Sequence, residues 1–214
     1  MTTGDVGTVE AALDAAIALH QRVRRGDLAP VAGAAQAIRQ ACETGGKILV
    51  FGNGGSAADA QHFVAELVGR FEQQRPAFAA IALTADTSVL TSVANDETFE
   101  RVFARQIEGL GRQGDVAVAI TTSGESPNVL AGIQTAARGG LRTIALTGRN
   151  GGRVGAAAEI HINVPDGSAA RVQEVHRTLI HAICRIVEGP STSRQARGRP
   201  EPGRATTGSG QGSP

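Results

Sequence analysis

Five short apolar runs dominate the pattern of hydrophobic and polar positions along the chain. They are KILVFG at 47–52, AFAAIAL at 77–83, DVAVAI at 115–120, LRTIALTG at 141–148 and EIHINV at 159–164. Strands that are buried on both faces have this continuous apolar character, and segments with helical spacing separate most of the runs. The pattern therefore predicts an α/β fold with a doubly wound, five-stranded parallel sheet.

Helical periodicity flanks these strands on both sides. Two alanine-rich segments, at about 6–24 and 28–43, come before the first run and are separated by RRGDLAP. Within that separator Gly26 is a helix breaker, and Pro30 suits the first turn of the second helix. A long helix is predicted at 169–188, after the last run.

The same patterns predict one domain over 1–188. Its N-terminal helices fall within 6–43 and its α/β core spans 47–188. Residues 189–214 have no apolar periodicity and are rich in glycine, proline, serine and arginine. Such a segment buries too little apolar surface to offset its loss of entropy on ordering, so we predict a disordered tail.

Composition and charge argue against two classes of partner. Aromatic residues make up 3% of the chain, with no Trp or Tyr, so base stacking on nucleic acid is not expected. Before the arginine-containing tail the acidic side chains outnumber the basic ones, which disfavours phosphate-backbone binding. No run of about 18 apolar residues predicts a membrane span. Two cysteines in helical patterns and no signal-peptide pattern lead us to expect a cytoplasmic location.

Two glycine- and hydroxyl-rich loops follow strands of the predicted sheet. The first loop is Asn53, Gly54, Gly55 and Ser56, and the second, TTSGESPN, offers the hydroxyls of Thr121, Thr122, Ser123 and Ser126. Backbone N–H groups at a helix start bind anions, and ligands collect at the carboxyl ends of parallel strands. Either serine could instead be only an N-cap. Since neither loop has a nucleotide-binding fingerprint, a phosphorylated small molecule is the favoured ligand.

The helix after Ser56 has two different faces. An apolar stripe is predicted to face the sheet, and it consists of Ala60, Phe63, Val64, Leu67, Val68 and Phe71. His62 and Glu66 lie on the opposite side, among the small residues Ala58, Ala65 and Gly69. That side is either a solvated face with a weak His–Glu pair or, as its small residues suggest, a subunit interface.

The last helix has a polar row at four-residue intervals beside its apolar stripe. This row contains Gln173, Arg177 and His181. His62, Glu66 and His181, with Gln173 as a weaker oxygen donor, form a possible Zn²⁺ ligand set. A purely structural role remains open for these residues, and it is the expected role of the three other histidines, His20, His161 and His176.

Five segments together resemble the phosphoheptose isomerase family, which belongs to the sugar isomerase (SIS) domain class. They are GNGGSAADAQHFVAELVGRF, AIALTADTSVLTSVANDETF, GDVAVAITTSGESPNVL, TIALTGRNGG and RVQEVHRTLIHAICRIVE. The resemblance covers about residues 6–188. It implies a flavodoxin-like SIS sandwich that converts sedoheptulose 7-phosphate into D-glycero-D-manno-heptose 7-phosphate through an enediol. This reaction is the first step of activated heptose biosynthesis for lipopolysaccharide and other surface glycans.

The resemblance also implies an assembly, a cofactor and a set of site residues. It implies a homotetramer with active sites at subunit interfaces and one Zn²⁺ per subunit. Glu66 corresponds to the base and His181 to the acid. The implied metal ligands are His62, Glu66, Gln173 and His181. The implied substrate contacts are Asn53, Gly54, Gly55, Ser56, Glu66, Asn95, Asp96, Thr121, Thr122, Ser123, Ser126 and Gln173.

One departure and two alternatives accompany this interpretation. Glu125 lies in the second loop, where a carboxylate beside a phosphate is unfavourable unless it points away. A paralogue of the family is a tetrameric adaptor that binds the bacterial replication initiator, and it shares nearly all these motifs. A sugar-phosphate-binding regulator is the other alternative, disfavoured because no helix-turn-helix is predicted.

Overall fold

The structure is a computed structural model, and it describes residues 3–189. The predicted disordered tail therefore lies outside the described residues, apart from Gly189 at its start. Within the described part, no helix combines the length and the apolar character needed to cross a lipid bilayer.

Five strands form one parallel sheet in the order β2-β1-β3-β4-β5. The strands are β1 Ile48–Gly52, β2 Ala80–Ala82, β3 Val116–Thr121, β4 Arg142–Gly148 and β5 Ile160–Val164. Every residue of β1 and β3 is buried, as expected for strands covered on both faces. The predicted parallel sheet is confirmed. The second strand is shorter than the predicted 77–83, because this edge strand pairs with β1 over three residues only.

Eight α-helices and a short 3-10 helix at Phe99–Arg101 are present in the described residues. The helices are α1 Thr3–Arg24, α2 Ala29–Glu43, α3 Gly55–Val68, α4 Thr87–Asp96, α5 Val102–Leu110, α6 Pro127–Arg138, α7 Gly152–Ala157 and α8 Ala169–Glu188. Both predicted N-terminal helices and the long last helix are confirmed.

Alternate residues of the strands supply two separate cores. Ile48 and Val50 of β1 pack with α2, α3 and α8 on one face of the sheet. Leu49 and Phe51 pack with α5, α6 and α7 on the other face. The period of two along a strand produces this division, and it places α3 and α8 side by side.

The predicted apolar stripe of α3 is only partly correct. Ala60, Phe63 and Leu67 are buried as expected. Val68 is 45% exposed, because it is the last residue of the helix and lies at the edge of the stripe. Phe71 lies beyond the end of α3, so it reaches its neighbours from the following loop.

Candidate active site

The candidate site lies at the carboxyl ends of β1 and β3. These two strands are neighbours in register, with Gly52 opposite Ile120, although β2 lies between them in sequence. The direction of strand order changes at this point, and a crevice forms where the loops separate to opposite faces. The two predicted phosphate loops leave the sheet next to each other here.

The first loop depends on glycine for its shape. Gly54 has φ of +55°, a backbone conformation that disfavours side chains. A Cβ on Gly52 would lie 2.6 Å from the carbonyl oxygen of Ile120. Ser56 is buried inside the first turn of α3, and Gly54 occupies the N-cap position. The N-cap alternative is therefore wrong for Ser56.

The second loop brings its hydroxyls together. The Oγ1 of Thr121 lies 3.3 Å from the Oγ of Ser123 and 3.3 Å from that of Ser126. Thr122, which follows Thr121 in the sequence, is half-buried. Ser126 holds the N-cap position of α6 but makes no side-chain capping bond. These hydroxyls therefore cluster at the start of a helix, where an anion is favoured.

A reciprocal pair of amides joins the two loops. Asn53 Nδ2 donates to Asn128 Oδ1 at 2.8 Å, and Asn128 Nδ2 donates to Asn53 Oδ1 at 2.9 Å. Asn128 is 2% exposed, and its Oδ1 also accepts the N–H of Val129 at 2.9 Å. Sequence reasoning missed Asn128. Its only signal is a polar residue in the first turn of a helix that is otherwise apolar on its inner face.

Glu125 is turned toward α7. Its Oε2 accepts the Nε of Arg153 at 2.8 Å, and its Oε1 accepts the backbone N–H of Arg153 at 3.1 Å. The hydrogen bonds from Arg153 hold the pKa of the Glu125 carboxyl below its ordinary value. The Glu125 carboxylate, which would be unfavourable beside a phosphate, is therefore paired with the guanidinium of Arg153.

His62, Glu66 and His181 converge from α3 and α8. The two Nε2 atoms of the histidines lie 2.7 Å apart, so one donates a hydrogen bond and the other accepts it. His62 Nε2 lies 3.6 Å from Glu66 Oε1, and one ligand atom from each of the three residues lies within 4.8 Å of the others. Imidazole nitrogens and carboxylate oxygens are the donor types that Zn²⁺ prefers, so this donor set fits that ion.

Gln173 connects α8 to the first loop. A Cβ on Gly55 would lie 2.4 Å from Gln173 Nε2, so the glutamine packs directly on this glycine. Gly55, Gln173 and His181 line one open groove of about 970 Å³ between α1, α3 and α8. Arg177, the third member of the predicted polar row, instead donates to Asp59 at 2.6 and 3.1 Å.

Asn95 and Asp96 lie at the end of α4, on the surface. Within residues 3–189, the one side-chain hydrogen bond of Asn95 goes to Asp96, at 2.8 Å. The structure therefore does not join these two predicted substrate contacts to the loops or to the His/Glu cluster.

The three other histidines lie outside that cluster. His176 is fully buried and donates from Nε2 to the carbonyl of Thr147 at 3.0 Å. Burial lowers the pKa of His176 and that of His161, which contacts the Thr147 hydroxyl at 2.7 Å. His20 contacts Thr178 from α1 at 2.9 Å.

Comparisons with known proteins agree with this geometry. A family model described as "SIS domain" matches residues 13–148. The phosphoheptose isomerase of Aromatoleum aromaticum is 54% identical over 159 residues, covering 73% of this chain and 80% of that protein. The phosphoheptose isomerase of Thiobacillus denitrificans is 49% identical over 184 residues, covering 85% of this chain and 89% of that protein.

Comparison with solved structures also finds phosphoheptose isomerases. A phosphoheptose isomerase from Francisella tularensis aligns with a TM-score of 0.82 at 36% identity, covering 87% of this chain and 98% of its own. The one from Neisseria gonorrhoeae aligns with a TM-score of 0.79 at 43% identity, covering 85% and 97%. From its sequence, its sheet order and these alignments, the chain belongs to the phosphoheptose isomerase family of SIS-domain proteins.

Proposed function

We propose that this protein is a ketose–aldose isomerase that converts sedoheptulose 7-phosphate into D-glycero-D-manno-heptose 7-phosphate, the first step of activated heptose biosynthesis. One observation carries the proposal. Two hydroxyl- and glycine-rich loops are tied together by an amide pair, and Gly55 of the first loop lines the same groove as His181, which clusters with His62 and Glu66. An anion site beside a carboxylate and an imidazole is what proton transfer on a sugar phosphate requires.

The loops hold the substrate in this proposal. The phosphate sits among the first-turn N–H groups of α3 and the hydroxyls of Thr121, Thr122, Ser123 and Ser126. Gly54 and Gly55 let the backbone approach the ligand because they carry no Cβ. Asn53, Ser56, Asn95, Asp96 and Gln173 are proposed as further substrate contacts.

Glu66 and His181 move the protons. Glu66 takes the proton from C1 of the ketose and delivers it to C2, while His181 donates to the C2 oxygen and accepts from the C1 oxygen. An enediol is the intermediate between the two steps. A carboxylate and an imidazole both exchange protons efficiently near neutral pH when they are positioned within hydrogen-bond reach.

His62, Glu66, Gln173 and His181 would hold one Zn²⁺ per subunit. The convergence of His62, Glu66 and His181 supports this ligand set. When bound, Zn²⁺ supplies Lewis-acid stabilisation of negative charge on oxygen. A carboxylate has two oxygens, so ligation through one of them leaves the other for the proton of C1.

A homotetramer in the cytoplasm, with active sites between subunits, completes the proposal. An apolar stripe runs along α1 at spacings of three and four residues and is 47–60% exposed in the single chain. It consists of Val6, Val9, Leu13 and Ile17. Contiguous exposed apolar surface of this kind is typical of interfaces. Leu13 also lines the groove that contains His181, which supports an interface beside the proposed active site.

The test is turnover of sedoheptulose 7-phosphate by the purified protein, with and without added Zn²⁺. Glu66→Gln keeps the size of the side chain and removes the base, so kcat should fall by about 10²–10⁴-fold. Glu159→Gln is the matched control, because Glu159 is an exposed carboxylate next to the amino end of β5. Near wild-type turnover by Glu66→Gln would mean that the base lies elsewhere. No turnover in either condition, with binding to a replication initiator, would favour the adaptor.

A further inference from the structure

Glu188, the last residue of α8, holds the loop that follows α3. Its carboxylate accepts three consecutive backbone N–H groups, from Phe71 at 2.7 Å, Glu72 at 2.8 Å and Gln73 at 3.0 Å. The Glu188 side chain is 2% exposed. Burial raises the pKa of this carboxyl, but these N–H groups and the charge of Arg75 outweigh burial and leave the pKa below its ordinary value. A charge buried in this way fixes the loop in one arrangement.

Arg75 connects the same carboxylate to the end of α3. Its Nε donates to Glu188 Oε1 at 3.0 Å, and its side chain is 6% exposed. Its two terminal nitrogens donate to the carbonyls of Leu67 at 2.8 Å and Glu66 at 2.6 Å. Carbonyls in the last turn of a helix lack partners within that helix, so the guanidinium caps the turn that carries Glu66.

The anchored loop places Phe71 on His181. The ring centroids lie 5.2 Å apart, with 30° between the ring planes. The His181 ring also contacts the ring of His62, with centroids 5.0 Å apart. The imidazole of His181 therefore contacts one residue of the anchored loop and one residue of α3.

We propose that Glu188 and Arg75 are positioning residues for proton transfer, and that they set the relative geometry of Glu66 and His181. Arg75 of this buried ion pair binds the backbone carbonyl of Glu66. Glu188 binds the backbone N–H of Phe71, whose ring contacts His181. Neither residue is part of the site described above. The inference rests on the proposed function for its kinetic part, whereas the orientation of His181 can be observed without turnover.

Glu188→Gln is the first test. Glutamine turns an NH₂ group toward N–H donors and leaves the guanidinium of Arg75 without its counterion, so the loop should shift. A misplacement of about 1 Å can cost roughly 10²-fold in rate, so kcat should fall by about 10- to 10²-fold. KM should stay near the wild-type value, because within residues 3–189 the hydrogen bonds of this ion pair go to the end of α3 and the loop after it and not to the proposed phosphate loops.

Phe71 provides a second test that leaves the buried charges intact. Phe71→Leu should lower kcat less than Glu188→Gln does, and Phe71→Tyr should restore it because the ring is kept. Glu72→Gln is the control, since Glu72 lies in the same loop and, among the described residues, its side chain forms only an exposed pair with Arg185 of α8. This control should keep the wild-type kcat.

Proton NMR of the histidine rings supplies a readout that general destabilisation does not move. The stacked ring of Phe71 shields His181, so a moved loop should shift the His181 ring resonances downfield in Glu188→Gln and leave them in place in Glu72→Gln. Loss of the ring in Phe71→Leu shifts these resonances by itself, so the Phe71 variants are judged by kcat. If Glu188→Gln does not fold, the kcat values of Phe71→Leu and Phe71→Tyr test the proposal instead. Unmoved His181 resonances with an unchanged kcat, alongside a lower melting temperature, would overturn the proposal. If the wild type has no turnover, the proposed function fails and the NMR shift alone decides the positioning role.

Discussion

The amide pair between Asn53 and Asn128 is expected to contribute to the stability of the fold and to set the spacing of the two proposed phosphate loops. Asn128→Ala removes three hydrogen bonds, two shared with Asn53 and one that accepts the N–H of Val129. Asn53 is only half-buried, so water can replace part of what it loses. Val129 is fully buried, so its N–H is left without a partner.

The expected decrease in the free energy of unfolding follows from these three hydrogen bonds. A neutral hydrogen bond contributes about 0.5–1.5 kcal/mol net, and an unsatisfied buried N–H costs about 1–3 kcal/mol. Asn128→Ala should therefore lower the free energy of unfolding by roughly 2–4 kcal/mol. For a chain of this size each kcal/mol shifts Tm by about 2–4 °C, so the expected decrease is of the order of 10 °C.

Urea and thermal unfolding, at one fixed protein concentration, would measure this change. KM for sedoheptulose 7-phosphate should rise as well, because the two loops are no longer held at a fixed separation. Gln134→Ala is a suitable control, since Gln134 is exposed on the same helix. A cycle with Asn53→Ala isolates the pair, and the double variant should lose less stability than the sum of the single variants.

Additive losses in that cycle would refute the reasoning, because they would show that the two side chains stabilise the fold independently. An unchanged KM in Asn128→Ala, together with the expected loss of stability, would separate the structural role of the pair from any role in the site.

Two further predictions concern pH and assembly. Burial lowers the pKa of His176 in the folded state, so below about pH 6.5 the unfolded chain binds a proton that the folded chain resists. The free energy of unfolding should then fall with decreasing pH, by at most about 1.4 kcal/mol per pH unit for this group. Urea unfolding at several pH values should show that the free energy of unfolding depends less steeply on pH in His176→Asn than in the wild type. An identical pH dependence in the two proteins would contradict the assignment. Leu13→Asp places a charge in the exposed stripe of α1, so sedimentation should show a smaller assembly than the tetramer proposed for the wild type. An unchanged mass would exclude this stripe as an essential interface.

The sequence alone determined the elements and the chemistry that lies close together along the chain. The runs at β1, β3 and β4 are continuous and apolar, so their burial on both faces could be predicted from local pattern. The edge strand β5 is only partly buried. His62 and Glu66 are four residues apart on one helix, which fixes their proximity once the helix forms. The two loops were expected to meet because parallel strands end at the same edge of the sheet.

The tertiary structure decided what depends on contacts between distant segments. His181 meets His62 across 119 positions, Asn128 meets Asn53 across 75, and Glu188 binds the loop at Phe71 across 117. None of these pairs has a periodic signal, because each contact arises from the packing of whole elements against the sheet. The exposure of Val68 and the shortness of β2 have the same origin. A local pattern specifies which face of an element is apolar, whereas only the packed neighbours determine how far that face is covered and which polar groups meet beyond it.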